Sequence, residues 1–206
     1  MNQPSNSSPG VRGPAEHDIR DQIVAAANEH FSQYGYSKTT VSDLAKAIGF
    51  SKAYIYKFFD SKQAIGEAIC ANCLAEIVAA VEKAIGVEGI SATERFRRLV
   101  KTLISTGASL FFNDRKLYDI AAFSALESWP SSQVYDAQIK RFVLQIVREG
   151  RESAEFERKT PLDETVDSIH FALRPFVNPL LLQYNLDFVE TAPTLTSNLI
   201  LRSLMP

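Results

Sequence analysis

The sequence predicts an all-α protein, and three observations carry that reading. Apolar residues return every three or four positions through most of the chain. Ser, Thr and Asp stand where those stripes begin, and Gly or Pro where they stop. No Val/Ile/Thr-rich run alternating in twos and bounded by turns interrupts them, so no strand is expected.

The elements follow in order. Residues 1–16, rich in Asn, Ser, Pro and Gly, are expected to form a disordered arm. Ile19, Ile23, Ala27 and Phe31 step by four, which predicts a first helix ending near Tyr34–Gly35. Asp18 and Asp21 sit favourably near its N-terminus. Residues 39–62, TTVSDLAKAIGFSKAYIYKFFDSK, predict two short helices joined by a tight turn and the start of a third. Thr40 is an N-cap, with Asp43 in the capping-box position. Val41, Leu44, Ala45 and Ile48 make one apolar stripe, and Gly49 ends the helix as a left-handed residue would. Ser51 caps the next helix, 52–58, where Ile55 and Phe59 share a face.

Ser61 opens a long fourth helix reaching Ile85, with Cys70, Leu74, Ile77, Val81 and Ile85 on one stripe. Gly86–Gly89 breaks it. Helices are then expected over 91–112 and 116–127. Trp129–Pro130 breaks the second of these, and Ser131 or Ser132 starts a helix running to Ser153. Thr160, Pro161 and Asp163 read as N-cap, first-position proline and acidic third position of another helix. That helix carries Ile169, Leu173, Phe176 and Leu180 on one face, and Pro175 and Pro179 kink or break it. A last helix covers 194–204. The expected total is about nine helices, three small and basic, then a larger bundle. The expected division is an arm at 1–16, a head at 17–66 and a body at 67–206, with the boundary inside the fourth helix.

With 206 residues, 46% of them hydrophobic, the chain can bury a real core. No uninterrupted apolar run reaches the roughly 18 residues of a membrane span, so no membrane partner is expected. The lack of an export signal, with only two Cys, points to a reducing cytosol. No phosphate loop, dinucleotide fingerprint, nucleophile elbow or zinc motif occurs, and the three His are far apart. The chain is therefore expected to be no enzyme, with no cofactor and no metal. Cys70 and Cys73, placed well inside a helix, read as small buried apolar residues.

The net charge of −2 hides an uneven distribution. Residues 37–62 carry five Lys against two Asp, whereas residues 67–206 carry fifteen Lys/Arg against eighteen Asp/Glu. A basic head on an acidic body orients a protein on nucleic acid. The second short helix turns Lys52, Tyr54, Tyr56 and Lys57 outward, a face suited to phosphates and base edges. Helix, glycine turn and short polar helix together make a helix-turn-helix.

The register FSQYGYSKTTVSDLAKAIGFS, then YIYKFF, then DSK opening a long helix, resembles the DNA-binding domain of the TetR family of bacterial transcriptional regulators. The resemblance covers about 45 residues, through SKQAI. Two positions depart from it: Ala53 replaces a usual Gly, and Phe58 replaces a usual His or Tyr and cannot donate to phosphate. The resemblance implies a cytoplasmic, nucleoid-associated repressor that binds a palindromic operator in double-stranded DNA as a homodimer. It also implies release by a small apolar effector held in the bundle. It places Lys52, Ala53 and Tyr54 at the leading end of the recognition helix and Tyr56 and Lys57 among the DNA contacts. Thr40 and Lys62, at helix N-termini, are the expected phosphate clamps, and Arg12 in the arm is expected to stay solvated. Aromatic and polar candidates for the effector site are Phe111, Tyr118, Phe123, Trp129, Phe142 and His170. Ile169, Leu173, Phe176, Leu180 and Leu199 are the candidates for the dimer interface. The alternative is a ligand-independent architectural DNA-binding protein of the same fold, with a filled bundle core.

Overall fold

A computed structural model describes the backbone over residues 13–206 and the side chains from residue 17 onward. It contains ten α-helices and one short 3-10 helix, and no strand among the described residues. The all-α expectation therefore holds. The arm at residues 1–12, including Arg12, lies outside the described residues. Residues 13–16, expected in that arm, instead belong to the first helix, α1, Gly13–Tyr34. Its stripe is the head's spine: Ile23, Ala27 and Phe31 are fully buried.

Helix α2, Val41–Ile48, begins and ends where its own residues dictate. The Thr40 hydroxyl accepts from the Asp43 N–H at 3.2 Å, and the Asp43 carboxylate accepts from the Thr40 N–H at 3.0 Å. This reciprocal pair satisfies two backbone donors that a helix start leaves open. Gly49 closes the helix with φ at 76°, a left-handed conformation that costs a residue with a Cβ. Helix α3 is shorter than expected, Lys52–Ile55, and residues 56–58 continue as tight turns. The Phe58 N–H still reaches the Ile55 carbonyl at 3.0 Å, so the segment stays coiled up to buried Phe59.

Helix α4, Lys62–Ile85, is the mast of the molecule. By length and composition it is long and apolar enough to cross a membrane, which the search for an uninterrupted apolar run missed. Here it is a core helix. Cys70, Leu74, Ile77, Val81 and Ile85 form its buried stripe, and it packs on α1 below and on helices of the body above. Gly66 lets Tyr36 and Trp129 approach closely: a Cβ there would lie 2.8 Å from the Tyr36 ring and 3.1 Å from the indole.

The body follows as α5 (Ala92–Asn113), α6 (Arg115–Leu126) and α7 (Pro130–Glu152). Pro130 itself is the first residue of α7, so the helix starts before Ser131. Helix α8 spans Leu162–Val177. Pro161 is extended (φ −52°, ψ 142°) and sits in the cap position, so Thr160 is not the cap that the sequence implied. Helix α8 absorbs Pro175, and the chain then breaks at Asn178, whose side chain accepts from the Leu180 N–H at 2.9 Å. Pro179 opens the one-turn helix α9, Pro179–Leu182. A 3-10 turn at Leu186–Phe188 leads to α10, Ala192–Ser203. That break raises the expected nine helices to ten. One apolar cluster runs without interruption from Ile23 in the head to Leu204 at the end of α10. Head and body therefore share a core, and Tyr36, Phe123 and Trp129 meet at their junction with ring centroids 5.6–5.7 Å apart.

Candidate nucleic-acid interface

The segment 51–59 is held from below and open above. The Ser51 hydroxyl accepts from the Tyr54 N–H at 3.1 Å and fixes the start of α3. Ile55 and Phe59 anchor the segment with 0% and 2% exposure. Lys52, Ala53, Tyr56 and Lys57 are exposed. Tyr54 is half-buried, edge-on between Phe50 and Phe58 at 5.0 and 5.3 Å. The Lys57 ammonium lies 5.6 Å from the Tyr54 ring and the Lys52 ammonium 5.8 Å from that of Tyr56. Each lysine is thus steered by a neighbouring ring yet keeps its N–H groups toward solvent. Phe58 props Tyr54, a packing role that suits its inability to donate.

Two expected phosphate clamps have other partners. The Thr40 hydroxyl donates to Asp43 at 2.6 Å while also accepting from it, so its hydrogen is committed to the capping box. The Lys62 ammonium donates to the carbonyls of Tyr36 and Thr39, each at 3.2 Å, and lies 4.4 Å from the Tyr36 ring. It ties the loop before α2 to the start of α4.

Sequence reasoning missed Arg20. This α1 residue donates to the Phe58 carbonyl at 2.7 Å and stacks on the Phe59 ring at 4.1 Å. It closes the end of the recognition segment. The Phe58 carbonyl lies 38 residues away in the chain, so no local pattern marks Arg20.

A second feature lies between α4 and α7, a groove of about 500 Å³. Its walls are mainly apolar, from Ala64, Ala68, Ala71, Leu74, Ala75 and Val78 on α4 and from Pro130, Val134 and Tyr135 on α7. Arg20, Glu67, Ser131 and Gln138 complete it. A hollow of mixed character, about 350 Å³, lies between α1 and α4, and a mainly polar one of about 180 Å³ lies beside Asp136 and Arg174.

The aromatic residues expected around a ligand do not line the large groove. Tyr118 is 1% exposed, with its hydroxyl donating to the Pro179 carbonyl and its ring edge-on to Phe111 at 4.9 Å. Burial pushes the Tyr118 hydroxyl well above the ordinary phenol range. Phe123 and Trp129 pack into the head–body junction, and Phe142 is core. His170 meets Asp136 at 3.1 Å, joining α8 to α7. The aromatics filled the core, and alanines left the space. Burial raises both thiols, Cys73 to about 12, and both cysteines are free. Among the described residues no His/Cys/Asp/Glu group of metal-binding size occurs.

The five residues expected at a dimer interface differ in burial. Ile169 and Leu173 are 4% and 1% exposed and belong to the protomer's own core. Phe176 and Leu180 are half-buried. Leu199 alone of the five is open, at 72%. Phe171 on α8 and Leu195 on α10 are also exposed. The regular stripe of an amphipathic helix marks its inward face, so these residues off the stripe point outward.

Comparison with known proteins agrees with this geometry. Residues 23–69 match the model of the bacterial regulatory proteins of the tetR family. Residues 92–190 match the tetracyclin repressor-like C-terminal domain. The biofilm operon icaADBC HTH-type negative transcriptional regulator IcaR of Staphylococcus aureus is 43% identical over 49 residues, 24% of this chain and 26% of that protein. The chain thus spans about a quarter of the length of the curated relatives it matches. Among solved structures, the TetR family transcriptional regulator PfmR from Thermus thermophilus is 25% identical. It superposes with a TM-score of 0.59 over 89% of this chain and 99% of its own. The transcriptional regulator FadR from Bacillus subtilis, solved in complex with stearoyl-CoA, shares the fold at a TM-score of 0.65. It is 20% identical and matches over 89% of this chain and 98% of its own. With a capped helix-turn-helix head, a shared mast helix and a matching body, the chain belongs to the TetR family of bacterial regulatory proteins.

Proposed function

We propose that the protein is a DNA-binding transcriptional repressor of the bacterial cytoplasm, acting as a homodimer on a palindromic operator and released by a small effector. The observation that carries this reading is the segment 51–59. Its apolar side is locked by Ile55, Phe59 and Arg20, and its polar side offers Lys52, Ala53, Tyr56 and Lys57 to solvent. Lys52, Ala53 and Tyr54 lead into the major groove, and Tyr56 and Lys57 follow beside them. The Thr40 region and the remaining N–H of Lys62 face the phosphates flanking that groove. Dimerisation uses the exposed apolar residues Phe171, Leu195 and Leu199 on α8 and α10.

The effector occupies the α4–α7 groove. Helix α4 lines it and also carries Lys62 at its start, and Arg20 lines it while holding the Phe58 carbonyl. An occupant that binds the two head positions unequally therefore shifts the head, whereas equal binding shifts nothing. A tenfold loss of operator affinity needs only about 1.4 kcal/mol of such coupling. The test is selection of binding sites from random duplex DNA by the full chain. Recovery of an inverted repeat is the expected result. Recovery of sites without a dyad contradicts the reading.

A further inference from the structure

The α4–α7 groove is mainly apolar, with Arg20, Glu67, Ser131 and Gln138 as its polar members, and Glu67 has an unmet acceptor. Ala64, Ala68, Ala71 and Ala75 succeed one another along α4, facing Val134 of α7, which is 69% exposed although apolar. Glu67 sits in this wall. One of its carboxylate oxygens accepts from the Ser131 N–H at 3.1 Å, at the start of α7. The other, Oε1, is buried and has no hydrogen-bond partner. A buried acceptor without a donor is costly, more so when it carries charge.

No group among the described residues is hydrogen-bonded to that oxygen. Arg20 lines the same groove, but its guanidinium is engaged by the Phe58 carbonyl at 2.7 Å and the Phe59 ring at 4.1 Å. It makes no ion pair with Glu67 among the described residues. Tyr36 feels the same carboxylate: burial first, and the Glu67 charge second, push its hydroxyl up to about 12. A phenol held that high stays protonated: it is a neutral donor that makes no hydrogen bond to Glu67 Oε1 here and brings no opposite charge.

We propose that the groove binds a lipophilic amine, with its alkyl or aryl part along the alanine wall and its ammonium paired with the Glu67 carboxylate, which turns Oε1 out of its buried position to meet it. This rests on reading the groove as the effector site and adds the chemical class of the effector. An ammonium supplies both the missing donor and the opposite charge, and such charge-assisted bonds are the stronger kind. An alcohol supplies only the donor. A carboxylate would place two like charges together in an apolar setting.

Decylamine, decanol and decanoate share a chain length and differ in head charge. Each is titrated by calorimetry into the full-length protein, below its micelle-forming concentration and at constant ionic strength. The wild type should bind decylamine about tenfold tighter than decanol, with decanoate weakest. Glu67→Gln keeps an oxygen for the Ser131 N–H and should bring decylamine down to the level of decanol. Ala71→Trp fills the groove and should abolish all three. Equal wild-type affinity for decylamine and decanol overturns the amine assignment and leaves the groove as a ligand site. Equal loss of all three ligands in Glu67→Gln also overturns it, as a structural effect. Binding that Ala71→Trp leaves intact, or no binding of any of the three to the wild type, overturns the groove as the effector site as well.

Discussion

Lys57 and Lys62 carry the same charge in different surroundings. Lys57 is exposed, with the Tyr54 ring beside it. Lys62 donates to two carbonyls at 3.2 Å and braces the head against α4. Lys57→Ala should leave the unfolding midpoint unchanged and alter preference among operator variants by about 1–3 kcal/mol if a base contact is lost. Lys62→Ala should weaken all DNA sequences alike and also lower stability by about 1 kcal/mol, because the two carbonyls lose a charged donor. Thermal melts paired with binding to several operator variants separate the two. Identical behaviour of the two mutants, in stability and in sequence preference, would refute the distinction. Tyr56→Phe removes one hydroxyl from an exposed ring. A drop in operator affinity with an unchanged melt would isolate a hydrogen bond made by Tyr56 to DNA.

At the scale of elements, two helix starts depend on ionised carboxylates. Hydrogen bonds from the Thr40 side chain and backbone hold Asp43 below its ordinary value. At Glu155 burial pushes upward, but the N–H groups of Thr93 and Ala92, at 3.0 and 2.9 Å, outweigh it and the net shift is downward. Glu155 comes from the loop after α7 and caps α5, so it links elements 62 and 63 residues apart. Both folded carboxyls release their protons more readily than the unfolded ones. Their stabilisation is therefore complete above the unfolded value, about pH 4, and is lost as pH falls through the lower folded value. Urea unfolding between neutral and acid pH checks this. Asp43→Asn and Glu155→Gln should each be less stable than wild type at neutral pH, and the gap should narrow as pH falls below about 4. A gap that persists or widens in acid would contradict the assignment.

At the scale of the whole molecule, the proposed homodimer rests on the outward face of α8 and α10. Leu199→Glu changes a side chain with 72% exposure, so the protomer should keep its fold while the dimer falls apart in sedimentation. Leu173→Ala, at 1% exposure, should instead destabilise the protomer by about 2–5 kcal/mol. This contrast also marks what the sequence could carry. The head was legible because its signals are local: Thr40 with Asp43, Gly49, Ser51 and the Ile55–Phe59 face all lie within a few residues of what they control. The body's helices were legible from their stripes. The reach of Arg20 to Phe58, the bracing by Lys62 and the unmet oxygen of Glu67 were not, because each depends on partners brought together only by folding. The expected ligand aromatics lie away from the α4–α7 groove for a related reason: large rings fill a core, and a groove opens where alanines leave it unfilled. The central claim is that a dimer reads DNA through the segment 51–59, and the binding stoichiometry and salt dependence of the full chain on its selected operator test it most directly. The account predicts two chains per operator, half-sites about 34–36 Å apart or a multiple of one turn, and affinity that falls steeply with salt. One chain per site with affinity indifferent to salt would contradict it.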